Sequence, residues 1–173
     1  MKGQRNVEIK ARVADLAALE RRAAALAAGQ PIDIEQDDTF FACPHGRLKL
    51  RELTPDRGEL IHYQRPDRGG PKLSSYVIAP TSDPAALREA LGRAFGVSGR
   101  VRKHRRLYLA GRTRIHLDRV EDLGDFVELE VVLGPGDDLA GGEAEAREIM
   151  RALGIEEHDL VGGAYVDLLA GRR

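Results

Sequence analysis

Polar and apolar residues alternate with a period of two over most of this chain. Eight stretches carry the alternation, near 5–13, 32–42, 47–54, 59–66, 72–79, 99–110, 112–120 and 125–133, with Pro, Gly and Asp between them. The pattern predicts strands with two unlike faces. Pro55-Asp56-Arg57-Gly58 and Ala110-Gly111-Arg112 read as hairpin turns, so much of the sheet is expected to be antiparallel. Helical periodicity interrupts the strands in three places. Leu16, Leu19, Ala23 and Leu26 form one apolar stripe, ended by Gly29 and Pro31. Leu87, Leu91, Ala94 and Phe95 form a second, opened by Asp83-Pro84 and stopped at Gly96. Ala146, Ile149, Met150 and Leu153 precede Gly154, the stretch from Gly134 to Gly142 reads as a loop, and Ala164 to Leu169 adds a short fourth helix. With no internal repeat or composition shift, one α+β domain over 1–173 is expected.

The polar face of several strands is charged rather than merely hydrophilic. Asn6, Glu8, Lys10 and Arg12 share one column of the first strand, with Val7, Ile9, Ala11 and Val13 on the other. Arg47, Lys49 and Arg51 oppose Leu48 and Leu50; Arg112, Arg114, His116 and Asp118 oppose Thr113, Ile115 and Leu117; Phe126, Glu128 and Glu130 oppose Val127, Leu129 and Val131. Near 100–110 both columns carry cations, Lys103 and Arg105 on one side and Arg102, His104 and Arg106 on the other, so parity does not choose an inside. Patterning alone allows a one-layer sheet with its charges in water. It equally allows a closed eight-stranded barrel with the aliphatic columns outward beneath helices and the charges lining the interior. Buried charges must be paired or ligand-bound. Arg and Lys would hold phosphate oxygens and carboxylates would hold Mg²⁺ or Mn²⁺, so a metal-bound polyphosphate satisfies both signs.

Composition narrows the partners. The 27 Lys and Arg nearly balance 28 Asp and Glu, which gives no basic excess for coating nucleic acid or an anionic membrane. Cys43 is the sole cysteine, so neither an intramolecular disulfide nor a thiolate metal cluster can form within the chain. The first residues lack the apolar run of a signal peptide, and no stretch approaches the ~20 apolar residues of a membrane span, so a cytoplasmic location is expected.

Several motifs, in order, resemble the CYTH domains, or triphosphate tunnel metalloenzymes. Asn6-Val7-Glu8-Ile9-Lys10 is similar to the family's Glu-x-Glu-x-Lys with the first Glu replaced. The resemblance continues through Asp38-Thr39-Phe40-Phe41, Gly46-Arg47-Leu48-Lys49-Leu50-Arg51, Tyr63-Gln64-Arg65-Pro66, Pro71-Lys72 and Val101-Arg102-Lys103-His104-Arg105. Thr113 to Asp118, Leu123 to Glu130 and Ala164 to Leu169 look most like the class IV adenylate cyclase branch. The resemblance implies an eight-stranded antiparallel tunnel in which Lys49, Arg51, Arg65, Lys72, Lys103, Arg105 and Arg114 grip a triphosphate. It implies metal held by Glu8, Asp118, Glu128 and Glu130, catalytic roles for Lys10, Glu8 and Arg114, and a homodimer. Three functions follow from it: conversion of ATP to cyclic AMP and pyrophosphate, hydrolysis of an inorganic, thiamine or nucleoside triphosphate, or polyphosphate binding without turnover. Asn6 is a far weaker Mg²⁺ ligand than the carboxylate it replaces, which bears on two-metal chemistry.

Other polar residues carry plainer expectations. The five histidines show no metal-binding spacing, although His116 shares a column with Arg114 and Asp118. Arg102 and Arg106 read as surface charge, Arg57 and Arg68 as solvated turn residues, and Tyr63 and Tyr76 as either packing or cavity residues.

Overall fold

The computed structural model describes residues 4–171. The strands are β1 (Gln4–Arg12), β2 (Ile32–Phe41), β3 (Arg47–Thr54), β4 (Arg57–Gln64), β5 (Lys72–Thr81), β6 (Val97–Ala110), β7 (Thr113–Val120) and β8 (Gly124–Leu133). The helices are α1 (Leu16–Leu26), α2 (Pro84–Phe95), α3 (Leu139–Leu153) and α4 (Tyr165–Ala170). All strand pairings are antiparallel, and the sheet closes on itself in the order β1-β5-β4-β3-β2-β6-β7-β8. A closed barrel has no free edge. It also decides the direction of the charged columns, which turn inward.

The outward columns of β1, β7 and β8 supply the main core. Val7, Ile9, Ala11, Ile115, Leu117, Val127, Leu129 and Val131 pack against Leu19 and Ala23 of α1 and Ala146, Met150 and Leu153 of α3. Each of these helices starts where an aspartate side chain accepts a backbone N–H, Asp15 from Ala18 and Asp138 from Gly141. α3 therefore begins at Leu139, inside the stretch read as a loop from its glycines. Gly142 is what lets the helix lie so close to the barrel: a Cβ there would stand 2.8 Å from side-chain atoms of both Val7 and Leu133.

A second cluster closes one end of the barrel. Phe40, Val101, Val120, Leu123 and Phe126 gather around Tyr165, with Val166, Leu168 and Leu169 of α4 beside them. The Tyr165 ring stands edge-on to Phe126, with centroids 5.1 Å apart. Side chains tie this plug to the wall as well, since Lys10 Nζ and Arg65 Nη2 donate to the Gly163 carbonyl at 3.3 and 2.9 Å. Among the described residues, no helix is long and apolar enough to cross a membrane.

Candidate functional site

The barrel encloses a cavity of about 310 Å³. β1 brings Asn6, Glu8 and Lys10 to its wall, β3 brings Lys49 and Arg51, β6 brings Lys103 and Arg105, and β7 and β8 bring Arg114, His116, Glu128 and Glu130. Arg65, just after β4, the aromatic side chains Tyr63, Tyr76 and Tyr165, and Gln36, Asp38, Glu59 and Ser74 complete the polar lining. On β6 alternation becomes decisive only in three dimensions. Lys103 and Arg105 point inward, while Arg100, Arg102 and Arg106 point outward and pair with Asp37 and Asp33 on β2.

Exposure grades along the axis. Lys10, beside the plug, is 2% exposed, whereas the Arg114 side chain at the other end is 33% exposed. The open end also carries the apolar lining residues, Ile61 beside Ile78 on β4 and β5, and Ile34 near Leu107 on β2 and β6. The open end thus mixes apolar side chains with Arg114, Glu130 and Glu59, whereas Lys10, Lys103 and Arg105 lie deeper.

The interior charges are heavily paired. Asp38 accepts from Lys49 Nζ at 2.7 Å and from Arg51 Nε and Nη2 at 2.8 Å each. Burial would raise its carboxyl, but the charges of Arg51 and Lys49 outweigh that and hold it far below the usual range. Asp118 does the same for Arg105, accepting from Nε and Nη2 at 2.6 Å, and takes a third bond from the Tyr165 hydroxyl at 2.8 Å. Glu8 is bonded to Arg65. Glu130 pairs with Arg114 at 2.7 Å. Glu128 meets Lys10 and Arg105 only at ion-pair distance, 3.7 Å each. Burial again opposes its charge, and Lys10, Arg105 and Lys103 together keep it ionised well below the ordinary carboxylate range.

Two expected residues stand apart from this lining. Lys72, on β5 opposite Glu8, is fully buried and donates to the Arg68 carbonyl at 3.0 Å. Asp118 lies behind Arg105, with its oxygens committed to Arg105 and Tyr165. Conversely, Asp38 and Tyr165 organise the site, although alternation gave neither a role. Both fall within motifs of the family resemblance, which was the available signal. Tyr63 and Tyr76 line the cavity, and the Tyr76 hydroxyl accepts from Arg114 at 3.2 Å.

Lys103 is the cation whose charge is least secure. Burial pulls its ammonium down to about 7, and the nearby Arg105 charge adds to this against the opposing pull of Asp118 and Glu128. A bound polyanion reverses that balance, so binding takes up a proton when the free site is partly neutral. If the cavity takes the polyphosphate that the family resemblance implies, its affinity is expected to fall as pH rises from about 7 toward the ordinary lysine value of 10.5. Over the same window the unfolded chain holds more protons, so this site makes the empty protein more stable as pH rises. Calorimetric titration of triphosphate in two buffers of different ionisation enthalpy, near pH ~7.5, measures the uptake, which Lys103→Met removes.

A family model for the CYTH domain matches residues 4–165, nearly the whole chain. The protein belongs to the CYTH family. Among solved structures, a Pyrococcus horikoshii protein is similar at 25% identity with a TM-score of 0.83, over 94% of this chain and 98% of that one. A Pyrococcus furiosus protein matches at 23% identity and TM-score 0.82, covering 94% and 99%. A candidate adenylate cyclase from Vibrio parahaemolyticus shares the fold at 19% identity and TM-score 0.79, covering 98% and 99%. No curated protein matches the sequence. The closed barrel of this CYTH chain is the triphosphate tunnel fold.

Proposed function

We propose that this CYTH protein is a metal-dependent enzyme that cyclises a nucleoside triphosphate, ATP first among them, releasing pyrophosphate. The observation that supports this reading is the change of chemistry along the cavity axis. Ile34, Ile61, Ile78 and Leu107 near the open end suit an organic group, while Lys49, Arg51, Lys103, Arg105 and Lys10 suit phosphates beyond it. Inorganic triphosphate would leave those four apolar side chains without a partner. A nucleotide with its base there places its α-phosphorus toward Arg114 and its terminal phosphate toward Lys10 and Lys103.

The donor set suits a divalent cation. Glu128 and Glu130 face the cavity as hard oxygen donors, and among the described residues Glu128 meets its cations, Lys10 and Arg105, at 3.7 Å, beyond hydrogen-bond distance. A cation held there supplies electrostatic stabilisation of charge on the phosphoryl oxygens. The chain's own residues supply the rest. Arg51, Lys49, Lys103 and Arg105 fix the β- and γ-phosphates, and Arg114 steadies the α-phosphate. The 3′-oxygen attacks the α-phosphorus, the bond between that phosphorus and the bridging oxygen to the β-phosphate breaks, and the electron pair leaves on pyrophosphate. The hydroxyl proton passes to water. No covalent enzyme intermediate is required, and the rate gain comes from positioning and charge stabilisation.

The test is incubation of the pure protein with Mn²⁺ or Mg²⁺ and, separately, ATP, GTP, thiamine triphosphate and inorganic triphosphate. The expected products are cyclic nucleotide and pyrophosphate. Orthophosphate instead would make the protein a triphosphatase, and protection against heat without turnover would make it a binding protein.

A further inference from the structure

The wall made by β7 and β8 carries a side-chain group that differs from the all-carboxylate set the family resemblance implies. His116 sits opposite Glu128 in the register, and Arg114 sits opposite Glu130. His116, Glu128 and Glu130 each offer one ligand atom, and these atoms all lie within 4.8 Å of one another. Carboxylates close together do not by themselves make a site. The histidine adds an independent observation: it is 4% exposed, lines the cavity, and its Nδ1 is buried without a hydrogen-bond partner. Its Nε2 comes no closer than 3.9 Å to Glu130. Leaving a buried polar nitrogen unmet costs about 1–3 kcal/mol, and among the described residues nothing meets Nδ1, so the ring has a nitrogen free for a water or an ion in the cavity.

The alternative donor in the same column is already spent. Asp118 accepts both Arg105 bonds and the Tyr165 hydroxyl, which leaves its oxygens little capacity to face an ion. Freeing it would strand the buried Arg105 guanidinium.

We propose that the divalent cation of this cavity is bound by an imidazole nitrogen of His116 together with Glu128 and Glu130, with Asp118 outside the coordination shell, so that the site selects Mn²⁺ and other nitrogen-tolerant transition ions over Mg²⁺. The proposal rests on the reading of the cavity as a metal-dependent triphosphate site and specifies its ligands. The selectivity follows from ligand chemistry. Mg²⁺ takes oxygen donors and keeps its waters, whereas imidazole suits the later first-row ions, and Mn²⁺ accepts both donor types. Glu130 is shared between the cation and Arg114, which couples occupation of the metal site to the arginine nearest the mouth.

The test is Mn²⁺ added to metal-free protein, with pulsed electron paramagnetic resonance reading the nuclei around the bound ion. The expected spectrum shows modulation from a directly bound nitrogen, and labelling histidine with heavy nitrogen changes it without any substitution. His116→Gln abolishes the modulation and weakens Mn²⁺ by about 10–100-fold, while reducing the preference for Mn²⁺ over Mg²⁺ in competition calorimetry. Asp118→Asn leaves the nitrogen signal in place. Mn²⁺ bound with no nitrogen modulation overturns the proposal and leaves the metal-dependent reading standing. A protein that binds triphosphate but no Mn²⁺ overturns the proposal and the metal requirement together, and one that binds neither overturns the functional reading as well.

Discussion

Arg105→Leu destabilises the protein by about 3–5 kcal/mol at neutral pH, measured by urea unfolding, because it leaves Asp118 charged and buried without its main partner. Asp118 is 0% exposed and holds Arg105 through two bonds of 2.6 Å. Lys103 Nζ, 3.5 Å from the same carboxylate, is too distant to replace that fork. The double variant Arg105→Leu, Asp118→Leu is expected to recover much of the loss, since removing both charges also removes their desolvation cost. A double variant no more stable than the single one would show that the ion pair is not what the position contributes. The pair also gives acid sensitivity of known sign. Burial raises the Asp118 carboxyl, the charges of Arg105 and Lys103 more than offset this, and its folded value ends below the unfolded 3.8. Its contribution is therefore present above that unfolded value and lost as pH falls through the folded one.

Arg51→Met is expected to lower turnover of the triphosphate by about 10²–10³-fold, the size seen when one preorganised charge-stabilising donor is removed. The fold should survive. Two N–H donors of Arg51 hold Asp38, but Lys49 holds the same carboxylate at 2.7 Å and remains when the arginine is gone. The guanidinium keeps further donors free for phosphate oxygens, which methionine of comparable length cannot supply. Steady-state kinetics beside a thermal melt checks both halves. A fall in activity that merely tracks a fall in melting temperature would count against a phosphate-binding role.

How far the sequence led depended on whether a strand kept its charges in one column. β1, β3, β7 and β8 do, and alternation assigned Glu8, Lys10, Lys49, Arg51, Arg114, Glu128 and Glu130 to one face each. It could not say that the face was enclosed, because closure is a property of β1 meeting both β5 and β8, far apart in the chain. β2 and β6 resist the same treatment. Asp38 lies among Asp33, Glu35 and Asp37, so acids occupy both columns; Asp33 and Asp37 answer the outward arginines of β6, and of these four only Asp38 answers Lys49 and Arg51. Tyr165 was legible only as part of a short helix and a family motif. Its role comes from contacts with Asp118 and Phe126, dozens of residues away. The start of α3 was missed for a local reason, since Gly141 and Gly142 disfavour helix by propensity while close packing at Gly142 rewards the absence of a side chain.

Among the described residues, Tyr165 and its neighbours block one end of the barrel, leaving the far end as its doorway. Under the proposed reaction the products would depart in sequence, the shallower fragment first and the deeper one after it. For a nucleotide seated base-outward, the pyrophosphate would be the last tenant, and until it left it would exclude the next substrate from the same cations.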